Sequence, residues 1–491
     1  MHQHDRVQSV GSPLNWYSGN IVGNKLADVI AFIEELEAEF ELVGRDFYGV
    51  PLWPAVRMDL FVQLATRLGS YGSAQIQYGA PRSKWSSLRW LRSNPYLQRE
   101  RVKFVVVGAS RIARHEGKDI DTYTNHLLGE LPADASEYVC TAGAPEKMRF
   151  PEGLAACDGQ PIFALYRIRR KLWSMRLSRD NVGLRIANDI TREVNSRLTL
   201  RYGFSVELDQ IVNRTAGHYL AQRDAWKSFF RIRQPKVVIM GDQCYGNEGQ
   251  IRAAHEVGAK VVEIQHGVIF PGHPAYHFKG RPVVEDRPDL FLLFGEGWGR
   301  GMAFPRNMRT GLIGFGPIRK AQKKLVSEAF PRTRQVAVLS SHPFCADLLV
   351  DAVRRVLEAD PLNRVVIRPH PTDPFVYRSA FDQATHRQIY FSSPAEPIDE
   401  LLVRSEYVVT GPSAVAFEGL ALGCKVVCLQ SDFSQLQREL LESTNIRTAI
   451  SVDQIPLQMR EARVQSDTDE IFSFETEDLC TLISKRLNYD A

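Results

Sequence analysis

The chain has 491 residues, too many for one ordinary hydrophobic core, so two domains of Rossmann size with additions is the natural count. Hydrophobic residues make up 44% and charged residues 24%, the balance of a soluble globular protein, and a net charge of only +4 gives no support to a general nucleic-acid role. Seven scattered cysteines, an odd number without CxxC spacing, point to reduced thiols rather than to disulfides or a metal centre.

The opening stretch MHQHDRVQSVGSPLNWYSGN has neither the charge pattern nor the apolar core of a signal peptide, and no apolar run approaches the roughly 18 residues of a membrane span. A cytoplasmic protein is expected, one that can still sit on the inner face of the membrane. Residues 25–70 predict two amphipathic helices separated by a Gly-Val-Pro turn, within a helical extension over 1–100. Residues 69–99 read as an exposed connection. The first strand is KFVVVGAS (103–110), apolar throughout as a buried parallel strand should be, and EYVCTAG follows from Glu137. Helical patterns dominate 173–230. Strand and helix then alternate through KVVIMGD, a helix over 247–257, KVVEIQHG, DLFLLFGE and TGLIGFG. A polar, basic link over 317–334 precedes QVAVLSS, a helix over 346–358 and RVVIRPHP, and the tail from Pro456 is charged and helical. The alternation predicts α/β architecture, with one Rossmann-like unit over 101–320 and a second over 321–491.

Basic and aromatic residues interleave in KWSSLRWLRSNPYLQRERVK (84–103) and YRIRRKLWSMRLSR (166–179). Such patches suit an interfacial helix on anionic lipid, and a solvated helix face with its tryptophans turned inward is the plainer alternative. No nucleic-acid motif accompanies them. GDQCYGNE (241–248) has Walker-like glycine spacing but Asn247 where a lysine is required. Asp119 and Asp121 form a DxD, a pattern loose enough to arise by chance.

Two stretches carry the chemistry. RVVIRPHPTDP ends a strand in Arg368, His370 and Pro371, and YVVTGPSAVAFEGLALGCKVVCLQ (407–430) runs from a strand through Gly411, Pro412 and Ser413 into a helix and a further strand. Proline suits a first helical turn and serine its start, so the backbone N–H groups there face an anion. Arg368 and His370, at the end of a neighbouring strand, converge on the same crevice as a phosphate clamp. In QHG, His266 follows an apolar strand and is the first choice of base for a hydroxyl near neutral pH, with Gly267 allowing close backbone approach. Asp242 and Glu296 end other strands of that unit and are rival bases. His273, Tyr276 and His277 in PGHPAYHF read as acceptor-loop residues, since no acidic or cysteine ligand set accompanies them for zinc.

The paired motifs resemble the donor-binding half of GT-B glycosyltransferases of the bacterial surface-polysaccharide type. Enzymes there that use CMP-activated acidic sugars carry a His-Pro pair followed by a serine- or threonine-containing turn, and the teichoic-acid glycerophosphate polymerases have a related arrangement. EIQHGVIFPGHPAYHF (263–278), PDLFLLFGEGWGRGM (288–302) and RTGLIGFGPIRK (309–320) extend the likeness, which covers roughly 235–435. The resemblance implies two Rossmann-like domains facing a cleft. Arg368, His370, Pro371, Gly411, Ser413 and Glu418 would bind the nucleotide-sugar donor, Glu418 at its ribose, and Gly267, His273 and Tyr276 the glycan or lipid-linked acceptor. It implies neither metal nor cofactor, and a CMP-activated acidic sugar slightly ahead of a UDP sugar. Transfer of a polyol phosphate from a CDP donor is the nearest alternative. Against it, Gln265 stands where that family tends to have tryptophan, and GPSAVAFEGLA lacks its aspartate-tyrosine-serine start. A sugar-nucleotide 2-epimerase and a non-catalytic module of polysaccharide assembly or export share the fold.

Overall fold

Short apolar strands such as FVVV, VVIM and LFLL need both faces covered, and this chain builds two parallel sheets around them. A computed structural model describes residues 25–70, 94–97, 100–108, 112–115, 117–142, 145–241, 246–327, 332, 334–340, 346–370, 380–381, 387–393, 396–465, 467–473 and 477–488. Its strands are β1 (Phe104–Val107), β2 (Ile112–His115), β3 (Lys118–Asp121), β4 (Ser136–Cys140), β5 (Ala155–Asp158), β6 (Val237–Met240), β7 (Lys260–Ile264), β8 (Leu290–Leu293) and β9 (Arg309–Leu312), then β10 (Gln335–Leu339), β11 (Arg364–Arg368), β12 (Ile389–Phe391), β13 (Tyr407–Thr410), β14 (Lys425–Leu429) and β15 (Arg447–Ala449).

The first sheet runs β5-β4-β1-β6-β7-β8-β9 and the second β12-β11-β10-β13-β14-β15, with every pairing parallel. Each has the doubly wound order 3-2-1-4-5-6, the first carrying one more strand at its edge. The expected α/β class with two Rossmann-like units is therefore what the chain forms. In each sheet the winding reverses at one place, between β1 and β6 and between β10 and β13, and doubly wound sheets take their ligands at such a point, at the carboxyl ends of the strands. The β2–β3 hairpin and β5 are additions that the alternation did not announce.

The helices are α1 (Lys25–Phe40), α2 (Trp53–Arg67), α3 (Gln160–Leu177), α4 (Asn181–Tyr202), α5 (Leu208–Arg233), α6 (Glu248–Glu256), α7 (Gly316–Ser327), α8 (Ala346–Ala359), α9 (Ile398–Arg404), α10 (Ala414–Ala421), α11 (Asp432–Leu436), α12 (Arg438–Ser443), α13 (Ile455–Glu461) and α14 (Leu479–Leu487). The first part of the stretch expected as a polar link, the rest of which falls largely outside the described residues, is the helix α7, whose Ile318 and Ala321 are buried against the main core. Its cationic residues lie on one face only, and that is why composition alone reads it as linker. The expected connection over 69–99 falls largely outside the described residues, and Asn94 within it is buried.

The two N-terminal helices join α4 and α5 in a core of their own around Leu26, Phe32, Val56, Leu60, Leu198, Leu208 and Ile211. They also hold the loop after β7: Arg57 donates to the His277 carbonyl at 2.9 Å, its Nε stands 2.9 Å from Glu37, and Arg287 donates to the Pro54 carbonyl at 3.1 Å. At the other end of the chain α14 crosses back onto β8 and β9, and its Leu479 N–H donates to Glu130 at 2.9 Å. No helix among the described residues is long and apolar enough to cross a membrane.

Candidate functional site

On the second sheet the Gly-Pro-Ser turn stands beside the reversal point, because β13 is the strand next to β10. Ser413 has extended backbone at the start of α10, and its side chain makes no capping hydrogen bond. Its Oγ is buried without a hydrogen-bond partner among the described residues, and so is Oγ1 of the fully buried Thr410, three residues earlier on the last position of β13. Two buried hydroxyls within one turn, beside a helix start, are groups that a polar ligand atom at this edge can engage. Glu418 lies half-buried one turn further along α10.

Arg368 and His370 are not on the neighbouring strand, as the sequence suggested. The sheet inserts β10 between β11 and β13, which separates them from the turn by two strand spacings, roughly 10 Å. Moreover, Arg368 reaches toward the β12 side: its Nη1 donates to Ser392 Oγ at 3.1 Å, to the Ser393 carbonyl at 3.3 Å and to the Glu396 carbonyl at 2.5 Å. Burial pushes its guanidinium below the usual range, while Glu396 and Asp399 act to raise it. Pro371 and Asp242 lie outside the described residues.

On the first sheet, β7 and β8 are adjacent, so His266 and Glu296 share one carboxyl edge. Glu296 opens a single 3₁₀ turn and is exposed at that edge. The His266 side chain is 12% exposed, with Nδ1 at 4.0 Å from Oε1 of the fully buried Glu263. Tyr276 donates its hydroxyl to the same Glu263 oxygen at 2.5 Å, and Tyr123 meets the His266 ring edge to face at 5.9 Å. A Cβ on Gly267 would meet nothing within 4 Å, so the space beside the histidine is open.

Tyr276, expected to touch an acceptor, is instead 1% exposed, stacked at 4.7 Å on Phe291, and placed to hold Glu263. His273 is likewise a loop-packing residue. It lies between Phe270 and Tyr276, accepts the Ala275 N–H at 3.2 Å on Nδ1, and is pushed down to about 3, by desolvation first and by nearby His266 and Arg57 next. His277 is also lowered by burial, and its Nδ1 accepts from the Ala303 N–H at 3.1 Å. The second aspartate of the DxD is engaged as well. Asp121 is buried and accepts from Tyr138 at 2.8 Å and from the Tyr123 and Thr124 N–H groups at 2.9 and 3.2 Å. Among the described residues no group of three His, Cys, Asp or Glu side chains is placed to hold a metal ion.

Trp298, two residues beyond Glu296, joins the two edges. Its ring packs at 4.9 Å on Phe417, one turn into α10, and its Nε1 donates to the Ile471 carbonyl at 2.8 Å. The turn bearing Glu296 is thereby held against the helix that Ser413 begins. Sequence reasoning did not single out Glu263, Tyr123, Thr410 or Trp298. For Glu263 a signal existed, a carboxylate inside the apolar run KVVEI, where a charge is tolerated only with a partner.

No protein-family model matches the chain, and no curated protein matches it. Solved structures similar to it include a UDP-GlcNAc 2-epimerase from Methanocaldococcus jannaschii, at 11% identity and a TM-score of 0.46 over 79% of this chain and 99% of that one. The S. aureus MnaA structure with UDP is similar at 13% identity and a TM-score of 0.45, over 79% and 98% of the two chains. The spinosyn rhamnosyltransferase SpnG shares 15% identity with a TM-score of 0.36, over 78% and 92%. Likeness at this level assigns no activity to this chain.

Proposed function

We propose that this chain is a GT-B glycosyltransferase that moves a sugar from a nucleotide-activated donor to a surface polysaccharide or lipid-linked glycan. A CMP-activated acidic sugar is the donor we favour over a UDP sugar. The donor lies against residues 321–491, with its phosphate at Ser413, Thr410 and the first turn of α10, and the acceptor lies against 101–320. His266 takes the proton of the acceptor hydroxyl as that oxygen bonds to the anomeric carbon, and the bond from that carbon to the donor phosphate breaks. Glu263, held by Tyr276, orients the imidazole and stabilises it once charged. The leaving phosphate's charge falls on the Ser413 hydroxyl and the N–H groups of the helix start, where the helix dipole favours an anion. His370 serves the part of the donor that extends across β10, and Arg368, tied to the β12 side, braces the end of the strand that carries it.

The observation that supports this most is the pair of buried hydroxyls on Thr410 and Ser413, without a partner among the described residues, at the reversal point of the second sheet. The experiment is release of nucleotide from CMP- and UDP-activated sugars, with and without a glycan acceptor, by the wild-type chain and His266→Ala. Acceptor-dependent release that is lost in His266→Ala while nucleotide binding persists is the expected result. Turnover of donor with no acceptor present would instead make the chain an epimerase, and binding without turnover a non-catalytic module.

A further inference from the structure

We propose that the outer face of α3 docks onto anionic lipid membrane, which gives a location to the lipid-linked acceptor of the function proposed above and rests on it for its biological sense. One face of α3 is held to the body of the protein: Trp173 donates to Asp224 on α5 at 2.8 Å, Tyr166 and His218 share a hydrogen bond of 2.7 Å, and Ile162 and Leu177 are buried. On the opposite face Ile168, Leu172 and Met175 are 60%, 50% and 49% exposed. At roughly 100° per residue, spacings of four and three put these three side chains within about 60° of arc, in one ridge along the helix. Arg167 and Lys171 flank the ridge on one side, Arg169 and Arg176 on the other, all exposed. No Asp or Glu occurs anywhere in α3.

An apolar crest between two cationic rows is the cross-section of a helix that lies in a membrane interface. The crest enters the boundary between headgroups and acyl chains, and the long basic side chains reach back to lipid phosphates. The same features disfavour a second copy of the chain, since two such helices face to face would oppose their arginines with no carboxylate on either. A single convex ridge also offers no groove to a peptide. Lipid satisfies both the crest and the charge, with each basic residue near an anionic surface adding to the attraction.

The test is flotation of the full chain with vesicles of phosphatidylcholine alone and of phosphatidylcholine with one-third phosphatidylglycerol, at low and raised salt. The expected result is binding to the anionic vesicles only, weakened by salt, and reduced about tenfold or more in Leu172→Glu/Met175→Glu. Because both side chains are exposed, the variant should keep the wild-type unfolding transition, and Ile168→Asp supplies a second substitution on the same crest. Failure of the wild-type chain to bind anionic vesicles overturns the proposal. So does undiminished binding by the variants, or a concentration-dependent dimer in sedimentation that the same substitutions abolish. Nucleotide-dependent stabilisation, measured separately without lipid, reads the glycosyltransferase proposal on its own.

Discussion

Replacing His126 by phenylalanine should flatten the acid dependence of stability by a calculable amount. Both ring nitrogens of His126 are buried without a hydrogen-bond partner among the described residues, and the ring lies edge to face on Phe315 at 5.9 Å. Gly316 makes room for it, since a Cβ there would stand 2.3 Å from the ring. Burial, with Arg319 adding to it, pushes the imidazole down to about 4 from an ordinary 6.5. A folded-state pKa below the unfolded one means that unfolding takes up a proton between the two values, so this stability is complete above about pH 6.5 and is lost as pH falls toward 4. Each pH unit in that window is worth about 1.4 kcal/mol, and the 1.5 units down to about pH 5 therefore remove about 2 kcal/mol. Phenylalanine has a similar shape and no proton to take up. The fall in unfolding free energy between about pH 7.5 and about pH 5 should be about 2 kcal/mol smaller in His126→Phe than in the wild-type chain. Guanidinium unfolding followed by tryptophan fluorescence across that range measures it. Equal pH dependence in the two proteins refutes a neutral, buried imidazole at this position.

Other substitutions probe the supports of the site. Tyr276→Phe removes the 2.5 Å hydrogen bond to Glu263, leaves a buried carboxylate short of a donor, and should cost about 1.5–3 kcal/mol in denaturant unfolding. A loss below about 0.5 kcal/mol would mean that the tyrosine does not hold the glutamate. Arg233→Met strands Glu137, its buried partner at 2.9 Å between α5 and β4, and should cost about 3–5 kcal/mol. Adding Glu137→Leu should recover most of that loss, and a double variant no more stable than the single one would contradict a paired charge.

Much of the scaffold was legible because buried parallel strands are written as continuous apolar runs. KFVVV, KVVIM, LFLL and YVVT became β1, β6, β8 and β13, and the helix expected over 346–358 is α8, at Ala346–Ala359. The serine of the Gly-Pro-Ser turn was legible as a helix start, for Ser413 stands at the N-cap of α10, whereas Pro412 precedes the cap instead of opening the first turn. Strand order was not. Nothing in RVVIRPHP records that β10 lies between β11 and β13, and so Arg368 was placed too near Ser413. The roles of Tyr276 and His273 were also hidden, because loop composition does not reveal which rings turn into the core. Glu263 carries its partner Tyr276 thirteen positions away, a separation that no local pattern covers. The contact between Trp298 and Phe417 depends on how the two sheets meet, which neither stretch specifies alone.

The most direct measurement is a thermal-shift screen of the purified chain against CMP, CDP, UDP, GDP and dTDP, with Ser413→Ala and Thr410→Val run beside it. A nucleotide that binds only the folded protein adds about 2.7 kcal/mol at about 100 times its Kd, which appears as a clear rise in Tm. A donor site at the start of α10 predicts a selective response, strongest with the pyrimidine nucleotide of the true donor and lost in both variants. No response to any nucleotide, or a response that both variants leave intact, would contradict a donor site at that turn.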